Sequence, residues 1–166
     1  AGTPDADEFT WEMEYDTEGH LVVMKRSESD GEITNITYKD GDVVKTSTRY
    51  VASGDLNGDG IIDSNDEWEY SAAIDYTTDN ITAPIENKGC LMLFDEILDV
   101  DMDEMIYAYY GGMLGKATKH LPLVGHYTYN GEDSVSDMYF TWTLNSDSYP
   151  TELVVKDQWD EYRCTF

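Results

Sequence analysis

The sequence predicts a single mainly β domain: a curved antiparallel sheet, or a partly open β-barrel of hairpins, with one helical insertion at about 91–110 packed on or inside it. Three observations carry that expectation. Apolar and polar residues alternate with period two through most of the chain, the pattern of strands with one buried face. Pairs such as Asp30-Gly31, Asp40-Gly41 and Asn130-Gly131 punctuate the alternating runs, and such pairs accept the positive φ that a two-residue hairpin turn requires. Aromatic residues make up 13% of the chain, with Tyr spread along its whole length, as in strand-rich proteins and unlike disordered acidic chains.

The elements follow in order. Residues 1–9 read as a flexible N-terminal arm and 10–166 as one domain; 166 residues suffice for one sizeable core. From Thr10, Trp11, Met13 and Tyr15 alternate with Glu12 and Glu14. A turn at Glu18-Gly19 leads to a strand over Leu21–Arg26, and Asp30-Gly31 leads to one over Ile33–Lys39. Asp40-Gly41 then precedes Val43–Ala52. Trp68, Tyr70, Ala72, Ile74 and Tyr76 alternate again, so the segment after 66 reads as a strand and not as the exit helix of a helix–loop–helix unit. Leu91, Phe94, Leu98, Met102, Met105 and Tyr109 instead fall three or four apart, which is a helical stripe. Gly111-Gly112 stops it, and 115–122 reads as a loop. The last third returns to strands at His126–Tyr129, Met138–Leu144, Leu153–Val155 and Tyr162–Phe166, so the chain is expected to end inside the sheet.

One segment carries recognisable chemistry. Residues 55–66 read Asp-Leu-Asn-Gly-Asp-Gly-Ile-Ile-Asp-Ser-Asn-Asp. Asp55, Asn57, Asp59, Asp63 and Asp66 stand at positions 1, 3, 5, 9 and 12 of a twelve-residue loop, with Gly60 at 6, which is the calcium-loop pattern. The side chains of Asp55, Asn57 and Asp59, the Ile61 carbonyl, and Asp63 and Asp66 are the expected ligands, and Ile62 is expected to enter the core. An all-oxygen flexible cage suits Ca²⁺ better than Mg²⁺ or Zn²⁺, and its role would be structural. The plain alternative is an acidic, glycine-rich turn that binds nothing. Asp66 stands where a regulatory EF-hand has Glu, and in this the loop resembles those of dockerin modules. Dockerins carry two such loops and this chain has one, so a cohesin partner is not supported.

Composition excludes other classes. A formal charge of −25, from 35 acidic and 10 basic residues, repels phosphate backbones and anionic lipid, so no nucleic-acid partner is expected. No apolar run reaches the length of a membrane-spanning helix, and Ala1 to Glu8 lacks the basic start of a signal peptide. Cys90 and Cys164 form either one disulfide or two buried thiols. His20, His120 and His126 show no zinc-protease spacing and read as surface or core residues. Asp99, Asp101 and Asp103 offer a second cation patch or acid pair only as any acid-rich chain would. Met92, Met102, Met105 and Met113 read as gap-filling core. Trp68, Trp142 and Trp159 have the choice of sugar stacking or core packing, and their alternating strands favour packing.

Two stretches carry a family resemblance. Residues 109–122, Tyr-Tyr-Gly-Gly-Met-Leu-Gly-Lys-Ala-Thr-Lys-His-Leu-Pro, and 139–153, Tyr-Phe-Thr-Trp-Thr-Leu-Asn-Ser-Asp-Ser-Tyr-Pro-Thr-Glu-Leu, resemble a domain-of-unknown-function family of Bacteroides-type lipoproteins with a porin-like β fold. That family's strings run roughly GLLGKxSKNLP and YTLDSDGYPTKI, and Glu32–Gly41 matches its early strands. The resemblance implies an exported protein of the cell envelope or surface, anchored in precursor form by a lipidated N-terminal Cys that this chain, with no Cys before Cys90, does not display. It implies no enzymatic activity. The calcium-type loop departs from the family's short connection at that point. The function expected is therefore a non-catalytic exported or cell-surface protein that binds an unknown ligand or surface partner, monomeric by default. The alternative is an extracellular polymer-degrading, glycosidase-like enzyme using paired carboxylates.

Overall fold

The structure, a computed structural model, describes residues 10–27, 32–50, 54–55, 57–89, 102–131 and 136–166. Alternation becomes architecture directly. Nine strands form one antiparallel sheet in the spatial order β1 (Trp11–Tyr15), β2 (Leu21–Arg26), β3 (Ile33–Lys39), β4 (Asp42–Tyr50), β5 (Trp68–Asp75), β8 (Val124–Tyr129), β9 (Ser136–Leu144), β10 (Pro150–Lys156) and β11 (Glu161–Thr165). Between β5 and β8 the chain leaves the sheet for β6 (Ile85–Glu86), helix α1 (Met102–Tyr110) and β7 (His120–Leu121), and β6 pairs with β7. The large sheet is not closed into a barrel: β1 and β11 form its two edges.

Register fixes two chemically opposite faces. One face carries Met13 opposite Met24, Ala72 opposite Tyr127, and Leu153 opposite Trp142. It buries Leu21, Met24, Ile36, Val43, Ile74, Phe140, Leu153 and Val155. Helix α1 contributes Met105, and the chain after it contributes Leu114 and Leu121, to the same core. The other face carries Glu12 opposite Lys25, Asn35 opposite Ser47, Ser71 opposite Thr128, His126 opposite Asp137, and Thr143 opposite Glu152. Hydroxyls and carboxylates pair across it, as Ser47 does with Glu69. Polar groups sit on the solvent side of such a sheet because burying them without partners costs free energy.

The turns behave as their residues require. Asp40 and Gly41 take φ of 55° and 90°, and Asn130 and Gly131 take 50° and 71°, the left-handed pair of a tight hairpin. Other expectations need correction or lie out of view. The 115–122 segment is not simply a loop, because His120 and Leu121 form β7. The C-terminal strand belongs to the large sheet, as expected, and forms one of its edges. Val124 and Pro150 already belong to strands, since their neighbours supply ladder partners. Residues 91–101 of the expected helix, Cys90, and the Asp30-Gly31 turn fall outside the described residues. Cys164 is a half-buried free thiol.

Candidate functional site

Chain direction divides the sheet into two ends. Strand β4 runs away from the Asp40-Gly41 turn, so the 54–67 connection to β5 lies at the opposite end. There the predicted loop is organised around its first and last carboxylates. Asp55 Oδ1 accepts from the Gly58 and Asp59 N–H groups at 2.6 and 3.1 Å, and its Oδ2 accepts from Gly60 at 2.7 Å. Asp66 is buried, with Oδ1 accepting from Asn57 N–H at 3.0 Å and Oδ2 from Asp63 N–H at 2.9 Å. Asn57, Asp59 and Asp63 each take a further N–H two residues on. Gly58 and Gly60 hold φ of 79° and 86°, which only glycine adopts without strain.

The donor chemistry fits a hard divalent ion. It is all oxygen, with the Ile61 carbonyl the one backbone ligand expected. Asp55 Oδ1 accepts two N–H groups, whereas its Oδ2 accepts one, from Gly60, and a carboxylate oxygen has two lone pairs. Among the described residues, however, no three His, Cys, Asp or Glu side chains draw together as a metal group. Cation binding requires the loop carboxylates to draw closer together than they stand here. Ile61 and Ile62 are both exposed, which corrects the expectation that Ile62 enters the core. Beyond the loop, Trp68 stacks on Tyr50 at 3.8 Å and leans on Tyr129 at 5.5 Å. This is sheet packing, not a free sugar platform.

The other end holds a feature that sequence reasoning missed. A cleft of about 500 Å³ opens between the β1–β2 turn, the β3–β4 turn and the strap that follows α1. The strap is tied across both turns: Lys116 N–H donates to the Gly19 carbonyl and Lys119 N–H to that of Gly41. The cleft is walled by His20, buried and stacked on Tyr38 with ring centroids 4.4 Å apart. His20 Nδ1 donates to Asp16 Oδ2 at 2.9 Å. Asp16 Oδ1 accepts from the Glu18 and His20 N–H groups. The His20 backbone N–H, helped by its ring and by Glu18 N–H, holds the Asp16 carboxyl down at about 2. Burial pushes the Tyr38 phenol up to about 12. Glu18, Asp40 and Lys119 complete the polar lining.

All three histidines in fact meet an aspartate. His120 Nδ1 donates to Asp42 Oδ2 at 2.7 Å, while Asp42 Oδ1 takes the His120 N–H and the Thr118 hydroxyl. Tyr76 reaches Thr118 and the Val43 carbonyl from behind, and its burial raises the phenol's pKa. His126 bridges Asp137 at 2.8 Å and Asp75 at 3.1 Å on the polar face. Only the Asp16–His20 spacing, four residues around a glycine turn, was visible in one dimension; the other partners come from different strands. Trp142 donates to the Pro122 carbonyl, and Trp159 is exposed on the β10–β11 turn. Asp99 and Asp101 lie outside the described residues.

The family described as a domain of unknown function (DUF4595) with porin-like fold matches residues 4–152. Among solved structures, a porin-like protein from Bacteroides vulgatus ATCC 8482 is similar, with a TM-score of 0.64 and 14% identity over 95% of this chain and 64% of that one. A porin-like protein from Bacteroides uniformis ATCC 8492 gives a TM-score of 0.35 and 15% identity, over 97% of this chain and 79% of that one. This chain thus spans 64% of the length of the Bacteroides vulgatus protein, and identity at that level speaks to fold alone. No curated protein matches.

Proposed function

Because this chain belongs to the DUF4595 family with porin-like fold, we infer that it is an exported, non-catalytic domain of the cell envelope or surface that binds a ligand or partner and is stapled by one calcium ion in its β4–β5 loop. The observation that carries the calcium reading is the double anchoring of the loop. Asp55 is held by three N–H groups and Asp66 by two, and both are the terminal ligand positions of the twelve-residue pattern. The calcium ion would supply charge neutralisation and nothing chemical. Asp55, Asn57, Asp59, Asp63 and Asp66, with the Ile61 carbonyl, would hold it.

The sheet's faces support a place in water at the envelope. A lipid-embedded barrel carries an apolar band outward. Here the apolar face is the one covered by α1 and the strap, and the opposite face carries Lys45, Glu69 and Asp75 on central strands. No helix among the described residues is long and apolar enough to cross a membrane.

Hydrolysis by paired carboxylates has one observation on its side: Asp16, Glu18 and Asp40 line one cleft. A glycosidase pair needs one carboxyl kept protonated at working pH. Asp16 is held as an anion and orients His20, so it does not serve as that acid, and we read the cleft as a binding surface. The experiment is calcium titration calorimetry on the wild type and on Asp55→Ala. One site per chain in the wild type, lost in the variant, is the expected result; heat that is absent in the wild type, or equal in both, defeats the calcium reading.

A further inference from the structure

We propose that the cleft between the β1–β2 turn, the β3–β4 turn and the strap is a binding site for a single saccharide unit, held through its neighbouring hydroxyl groups. The proposal rests on the ligand-binding part of the reading above. It is separate from the calcium loop, which lies at the far end of β4.

His20 lines the cleft. Its Nδ1 donates to Asp16, and a carboxylate can only accept, so in the neutral ring Nε2 is an acceptor. That nitrogen has no hydrogen bond among the described residues, although the residue is 6% exposed and lines the cleft. A buried imidazole locked in one tautomer by a carboxylate is oriented to receive a donor from outside. Around it stand Glu18, Asp40 and Lys119, whose side chains likewise make no hydrogen bond or ion pair among the described residues. Gly41 and Ala117 also line the cleft.

Charge decides among ligand classes. A simple anion meets Glu18, Asp40 and a chain of net charge −25. A simple cation meets the Lys119 ammonium. A metal ion needs carboxylates that converge, and these do not. Hydroxyl groups on adjacent carbons both donate and accept, so one ligand satisfies the two carboxylates, the imidazole nitrogen and the ammonium together. A volume of about 500 Å³ holds one such ring with its water. The walls are built, not loose: Tyr38 stacks on His20, and the strap is hydrogen-bonded to both turns.

The test is an NMR titration of the ¹⁵N-labelled full chain with glucose, galactose, mannose and N-acetylglucosamine in turn. Glycine and inorganic phosphate serve as the zwitterionic and anionic comparisons. At least one sugar is expected to shift the amides of Gly19, Gly41 and Lys119, with a dissociation constant on the order of 1–10 mM. The pair Glu18→Gln and Asp40→Asn should weaken that binding about tenfold, and Lys156→Ala, on β10 four strands away from β4 in the sheet, should leave it unchanged. Amide dispersion of β8–β11 reports that each variant is folded. The proposal is overturned if no sugar moves those amides, if sugars move only other amides, if the double variant binds as the wild type does, or if glycine or phosphate displaces them while sugars do not.

Discussion

His126 shows what a single pair of contacts does to the pH response. It stands on the polar face between Asp137 of β9 and Asp75 of β5. The hydrogen bond to Asp137, with lesser help from Asp75, raises its pKa above the ordinary 6.5. A raised folded-state value means that the protonated ring is stabilised in the fold. Its contribution is therefore complete below about 6.5 and is lost as pH climbs through the raised value. His126→Gln should accordingly lower the urea midpoint at pH 5.5 and leave it nearly unchanged at pH 9; equal effects at both pH values contradict the account. Asp16 runs the other way: its carboxyl is held down at about 2, so its contribution is present above 3.8 and disappears as acid approaches the lower figure. None of the His–Asp pairs was read from the sequence. His126 meets its partners through sheet register, and His120 on β7 reaches Asp42 of β4 from the separate two-stranded sheet; no local pattern encodes either.

The strap after α1 is the element that shapes the molecule's candidate ligand end, and Gly115 is its tightest point. Its φ is +72°, and a Cβ there would lie 2.8 Å from the Leu21 backbone nitrogen and 3.1 Å from the Gly19 carbonyl. Gly112, also left-handed at +69°, faces open space. Gly115→Ala should therefore destabilise the domain by about 2–4 kcal/mol, whereas Gly112→Ala should cost about 1 kcal/mol. Equilibrium urea unfolding distinguishes them, and equal costs would show that the strap is not pressed on the β1–β2 turn. Strands were the legible elements, because alternation such as Phe140, Trp142 and Leu144 against Thr141 and Thr143 follows from one buried face. The strap was not legible. Its two-residue β7 and its hydrogen bonds to Gly19 and Gly41 are long-range consequences of where the sheet places those turns. Of the expected helical stripe, the described part is a helix in which Met105 enters the core but Tyr109 is exposed.

At the scale of the molecule, an open nine-stranded sheet has one apolar face to cover and one polar face to leave in water. Its ends then differ: turns and strap at one, the Asp55–Asp66 loop at the other. The loop's spacing was fully legible, since position and residue type lie within twelve consecutive residues. The exposure of Ile61 and Ile62 was not, because it depends on there being no partner loop for them to pack on among the described residues. The net charge of −25 raises self-repulsion throughout the chain, and a cation bound in the loop would relieve it among Asp55, Asp59, Asp63 and Asp66. At a free calcium concentration a hundredfold above its dissociation constant, such a site adds roughly 2.7 kcal/mol.

The direct measurement is a thermal melt of the wild type and of Asp55→Ala, each in millimolar calcium, in equal magnesium and in chelator. The account predicts that calcium raises the wild-type midpoint by roughly 5–10 °C relative to chelator, that magnesium does far less, and that the variant does not respond. A wild-type midpoint indifferent to calcium, or an equal rise in the variant, would contradict it.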